Sequence, residues 1–264
     1  MKYSIIFIEK FNKILIFRHI LWEMSFKQLK ARYAGSMLGI WWAVITPLIL
    51  AISIGFVFNR VFKVNIPNNA FFILSGIMPW FLFTNALQEA SNSFIANSSI
   101  LKQGIFPREL IPISSILTNF LNFLIGLLIL LPLFIFININ TIKVLLFLFP
   151  IVILNLIFII GLGILLSCGN VFFRDISHFI SIAFMPWFWV TPIFYTLDMV
   201  PANLRWICYV NPMTYYTILY QSVLFKAEIP PLSTIFIATS IALLSFTSGY
   251  FIFIKNEVLL LKRI

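Results

Sequence analysis

The side chains that could do chemistry are few in this sequence and stand far apart. His19 and His178 have no Cys or carboxylate at ligand spacing, and Cys168 and Cys208 show no metal-binding interval. No glycine-rich loop ending in Gly-Lys-Ser/Thr occurs, so no nucleotide site is recognisable. A membrane transferase would need a carboxylate or His cluster at an interface; only Arg174-Asp175 comes near, and it reads as a turn-stabilising pair. Glu89 reads as a carboxylate at the inner end of an apolar block. What is concentrated is aromatic: Trp206, Tyr209, Tyr215, Tyr216, Tyr220 and Phe225 fall within 198–231, too polar a segment to span a membrane.

The elements that must position these residues are apolar helices. Hydrophobic residues fill 61% of the 264 positions and charged ones 10%, too few charges to cover a water-soluble surface. Six blocks are long enough to cross roughly 30 Å of hydrocarbon. They run over 38–58, 70–87, 110–137, 144–167, 179–197 and 232–254. The expected fold is thus an all-α membrane protein with six transmembrane helices. It forms one permease-type domain over 1–264: an interfacial N-terminal segment (1–37), a six-span bundle (38–254) and a tail (255–264).

Orientation follows from the basic residues. With both ends cytoplasmic, thirteen Lys and Arg lie on inner segments and five (Arg60, Lys63, Lys143, Arg205, Lys226) on outer ones. The net charge of +10 therefore belongs to membrane topology rather than to nucleic acid.

Three regions lie between or beside the spans. Phe17 to Tyr33 mixes Leu21, Trp22, Phe26 and Leu29 with Arg18, Lys27, Lys30 and Arg32, as an interfacial helix along the inner leaflet would. The inner loop 89–109 begins polar and then suits a short amphipathic helix stopped near Gly104 and Pro107, a handle for a soluble partner. In the outer segment 198–231, Asn211-Pro212 reads as an N-cap followed by a first-turn proline, so two short helices meet there and dip into the outer half of the membrane. Gly35 and Gly39 have small-xxx-small spacing, a weak signal for close helix approach.

The run Lys30-Ala31-Arg32-Tyr33-Ala34-Gly35-Ser36-Met37-Leu38-Gly39-Ile40-Trp41-Trp42, followed by Pro47, resembles the N-terminal signature of the polysaccharide-export ABC-transporter permeases. Four further stretches agree in order: Gly76 to Phe81; Phe106 to Glu109 with Pro112; Asn170 to Ile176; and Thr191 to Tyr195 followed by Pro201, Trp206 and Asn211-Pro212-Met213. The resemblance implies a homodimer of permeases in the cytoplasmic (inner) membrane, driven by two separate ATPase subunits that hydrolyse ATP. This chain itself would bind no cofactor. The implied cargo is an undecaprenyl-linked polysaccharide: O-antigen first, capsule or teichoic acid next.

On that resemblance the ATPase-coupling role falls on Ser98, Ser99, Ile100, Leu101, Lys102, Phe106, Pro107, Arg108 and Glu109. The external gate falls on Trp206, Tyr209, Asn211 and Pro212. A moving polymer needs a lining that holds it weakly at many points, and aromatic faces stack on sugar rings without demanding one sequence. The channel-lining candidates are Trp187, Phe188, Trp189, Phe194 and Tyr195. The alternatives are an ABC permease for a drug or small amphiphile, and an integral membrane transferase.

Overall fold

The computed structural model describes residues 9–10, 12–63, 66–103 and 106–263, and among these every regular element is helical. The principal helices are α1 (Arg18–Tyr33), α2 (Trp42–Arg60), α3 (Asn69–Ala96), α4 (Ser98–Gln103), α5 (Leu110–Ile137), α6 (Leu148–Phe172), α7 (Ile176–Val190), α8 (Arg205–Val210), α9 (Pro212–Gln221) and α10 (Leu232–Arg263). Five helical runs are long and apolar enough to cross a membrane: Gly39–Arg60, Asn69–Ala96, Leu110–Ile137, Thr141–Phe172 and Leu232–Leu260.

The fifth apolar block is different. α7 has 15 residues and spans roughly 22 Å, short of roughly 30 Å of hydrocarbon. It stops at Val190 because Pro192 pushes Thr191 out of the helical region, and Thr191 is extended with ψ 132°. Residues 191–196 carry the chain onward without a regular helix, where the sequence suggested a helix to 197.

α3 runs the other way, nine residues past the block expected to end at Leu87. Its polar end is packed into the bundle: Ser91, Ser93 and Phe94 are buried and Asn170 Nδ2 donates to Ser91 O (3.0 Å), while the two hydroxyls are satisfied by Gln88 O (2.8 Å) and Ala90 O (2.7 Å). The loop expected to begin at Glu89 therefore begins near Asn97. α10 continues to Arg263, so the expected tail is the end of a helix roughly 48 Å long. There Arg263 Nη1 donates to Phe172 O (3.5 Å), placing a cation on the last carbonyls of α6.

α10 and α6 pack with almost no separation. A Cβ on Gly249 would lie 2.1 Å from Gly161 O, and Ser245 Oγ donates to Phe158 O at 2.9 Å. The small residues that permit close approach are these, not Gly35 and Gly39. Those two adopt φ +74° and +54°, Gly35 in the link after α1 and Gly39 at the start of the Gly39–Arg60 run, with nothing within 4 Å of an added Cβ.

The core is built from α3, α5, α6 and α9. Phe83 stacks on Phe158 (5.7 Å between centroids) and Phe158 on Tyr216 (5.1 Å). Two short helices do meet at Asn211. The second enters the bundle, with Met213, Tyr216, Leu219 and Tyr220 fully buried and Tyr216 donating to Ala238 O at 2.9 Å. α1 buries Leu21, Ser25 and Leu29, one row at i, i+4, i+8, against α5, where Thr118 Oγ1 donates to Ser25 O (3.2 Å). Trp22, Phe26, Lys27 and Lys30 stay exposed.

Candidate functional site

A cavity of about 460 Å³ opens between α1, α2, α3 and α5. Arg32, Tyr33, Asn85, Asn119 and Asn122 supply its polar wall, and Trp42, Met78, Phe81 and Phe123 its apolar one. Arg32 Nη2 donates to both carboxylate oxygens of Glu89 (2.6 and 2.9 Å), and its Nη1 to Asn119 Oδ1 (3.1 Å). Asn119 returns a bond from Nδ2 to Glu89 Oε2 at 2.8 Å, closing a three-residue ring between α1, α3 and α5. The Tyr33 hydroxyl donates to Asn122 Oδ1. Desolvation raises the Tyr33 pKa above that of a free phenol, partly opposed by the Arg32 charge, so it remains a neutral donor.

With the cation and carboxylate spent on one another, the wall offers mainly amides, a hydroxyl and aromatic faces. Asn85 and Thr46 make no side-chain hydrogen bond among the described residues. Such a wall can bind hydroxyl groups in pairs, donor and acceptor, and lay an apolar face on a ring. Sequence reasoning did not name this site. The available signal was Asn85, Asn119 and Asn122 within apolar spans, since polar residues there mark function.

The coupling candidates share the same end of the bundle as α10's last turns. α4 places Ser99 outward and Ser98 half-buried, whereas Leu101 is buried in a cluster with Phe94, Leu110 and Phe253. The side chains of Ile100 and Lys102, and the whole of Gly104, lie outside the described residues. Phe106, Pro107 and Arg108 are half-buried, and Arg108 Nη1 reaches Glu257 Oε1 at 3.2 Å. Glu109 is fully buried, with Tyr250 donating to its Oε1 (3.2 Å) and Lys10 Nζ at 3.7 Å. Lys10 also pairs with Glu257 at 2.8 Å. Glu109 and Arg108 therefore both belong to the chain's own ion network, Phe106 packs against the Leu101 cluster, Ser98 and Pro107 are half-buried, and Ser99 is exposed.

The aromatic lining candidates come together beyond the other end of α7. Phe188, Trp189 and Phe194 lie 5.1–5.6 Å apart between centroids, with Tyr195 5.2 Å from Phe194. Phe194 is buried at 3% exposure and Trp189 is 58% exposed. Trp187 has a structural bond: its Nε1 donates to Asn211 Oδ1 at 2.7 Å. Asn211 also accepts from Met213 N (2.9 Å) as the N-cap of α9 and donates from Nδ2 to Thr191 Oγ1 (2.8 Å). Of the gate candidates, Asn211 and Pro212 thus pin α9 to α7, while Trp206 and Tyr209 are exposed. Arg174 and Asp175 form no ion pair among the described residues. Their turn is held instead by Asn170 Oδ1, which accepts from Ser177 N at 3.2 Å, because an amide one turn back reaches the next helix's free N–H.

Residues 20–225 match the ABC-2 type transporter family. The chain is 38% identical to the O-antigen export system permease protein RfbA of Klebsiella pneumoniae over 188 residues, which is 71% of this chain and 73% of the relative. A protein of the same name from Myxococcus xanthus is 31% identical over 242 residues, 89% of this chain and 92% of the relative. Five membrane-length helices among the described residues and a family match across most of the chain agree with one another: the chain belongs to the ABC-2 type transporter family.

Proposed function

We propose that this chain is the permease subunit of an ABC exporter that moves a lipid-linked polysaccharide, O-antigen in the first instance, across the cytoplasmic membrane. The observation that carries this reading is the cavity between α1, α2, α3 and α5, whose three Asn side chains and aromatic wall suit a polyhydroxylated chain better than an apolar drug. The relatives named as O-antigen export permeases support the same cargo class. An undecaprenyl carrier would stay in the bilayer while its glycan occupies the polar cavity.

Two copies form the channel. The outward apolar stripes on α2 (Ile49, Ile52, Phe56) and α7 (Phe179, Ile182, Met185, Trp189) are surfaces a second copy would cover. Two ATPase subunits dock on Ser98, Ser99, Phe106, Pro107 and Arg108, and Glu109 carries their motion inward through Tyr250 and Lys10. α7 with residues 191–196 makes the fifth of six crossings, α8 and α9 form a re-entrant pair on the outer side, α1 lies along the inner interface, and both termini are cytoplasmic. Deleting the gene should leave polysaccharide inside the cell and strip it from the surface. Unchanged surface polymer in the deletion strain overturns the reading.

A further inference from the structure

A second cavity, of about 250 Å³, lies at the end of the bundle remote from α4. It is smaller than the roughly 300–1,000 Å³ of sites for drug-sized ligands. Its wall contains three aromatic rings, Phe72, Tyr195 and Tyr209, a carboxylate, Asp198, an amide, Gln221, and two cations, Arg205 and Lys226.

Several of these groups are already committed, and this defines what is left. Arg205 is a fixed strut: its Nε donates to Val200 O at 2.9 Å and its Nη2 to Asp198 O at 3.3 Å. Gln221 Nε2 is held by Pro192 O at 3.0 Å. Asp198 and Lys226 form no ion pair among the described residues, and Tyr209 is 50% exposed. A carboxylate that can accept two hydroxyls, an ammonium that can donate to ring or hydroxyl oxygens, and a free aromatic face thus surround a space of single-ring size.

We infer that this cavity is a subsite for one pyranose ring of the exported glycan, with the ring's apolar face on Tyr209 and its hydroxyls on Asp198 and Lys226. The inference rests on the exporter reading and adds a second holding point at the opposite mouth. Holding must be weak. A polymer that advances by single sugars needs sites shallow enough to leave, and a half-open cavity with one carboxylate provides that.

The test uses the full chain with its ATPase partner in lipid nanodiscs and the methyl pyranosides of glucose, galactose and mannose as probes, read by saturation-transfer NMR. Wild type should bind at least one probe weakly. Asp198→Ala should weaken that binding roughly tenfold, the worth of a lost hydrogen bond to a charged group, and Tyr209→Ala should weaken it comparably. Both side chains are exposed, and an unchanged thermal midpoint will show that the variants fold. Absence of any binding, binding unaffected by both substitutions, or binding lost only with Asn122→Ala in the inner cavity overturns the inference. Failure of the exporter reading appears separately, as unaltered surface polymer in the deletion strain.

Discussion

At Asn122 the amide oxygen is taken by the Tyr33 hydroxyl, which leaves the amide N–H groups as donors in the cavity wall. An Asn inside an apolar helix is costly unless its groups are paired, so its persistence beside unpartnered Asn85 points to a hydrogen-bonding cargo rather than to packing. Asn122→Ala should slow export roughly five- to tenfold, the worth of one hydrogen bond, while ATPase co-purification is retained. Pulse-labelling of surface polysaccharide reads the rate. A normal rate removes Asn122 from the path. Arg32 is the contrasting case: its charge is consumed by Glu89 and Asn119, so it acts as a brace between helices.

Between elements the tightest constraint is the α6–α10 crossing. Backbone meets backbone at Gly161 and Gly249, and no rotamer can relieve a clash with a carbonyl oxygen 2.1 Å from the new Cβ. Gly249→Val should therefore cost about 1–3 kcal/mol or more, seen as a lower unfolding midpoint in detergent or as loss of accumulated protein. An equally stable variant would mean that the two helices separate freely. The same crossing links α10, whose C-terminal half carries Tyr250 and Glu257 beside Glu109 and Arg108, to the core helix α6.

For the whole molecule, the charge asymmetry and the buried α9 define two unlike ends. Ser99 and Lys226 are both exposed and lie at opposite ends of the bundle. In a background with Cys168 and Cys208, both buried and free, replaced by Ala, Lys226→Cys should react with an impermeant maleimide on intact cells. Ser99→Cys should react only after permeabilisation. The reverse pattern would invert the proposed orientation.

Hydropathy alone located five membrane-length helices among the described residues, because a bilayer tests each roughly 20-residue window independently of the others, but it overran the short α7. Local chemistry was equally legible at Asn211-Pro212, which caps α9 as its residue types demand. Where the sequence reading missed, distant residues decided. α3 outruns its apolar block because Ala90, Ser93 and Phe94 are buried against neighbouring helices and Asn170 Nδ2 donates to Ser91 O, and Glu109 turns inward to Tyr250 and Lys10. The cavity was illegible for the same reason. Arg32, Glu89 and Asn119 stand 57 and 30 residues apart in sequence, and only the rotation and crossing of α1, α3 and α5 bring them within hydrogen-bond reach. Composition and spacing, being local, determined an all-helical membrane protein and the places of its five long apolar helices. Which polar side chains converge, and on what, is a property of long-range packing that the tertiary structure alone decided.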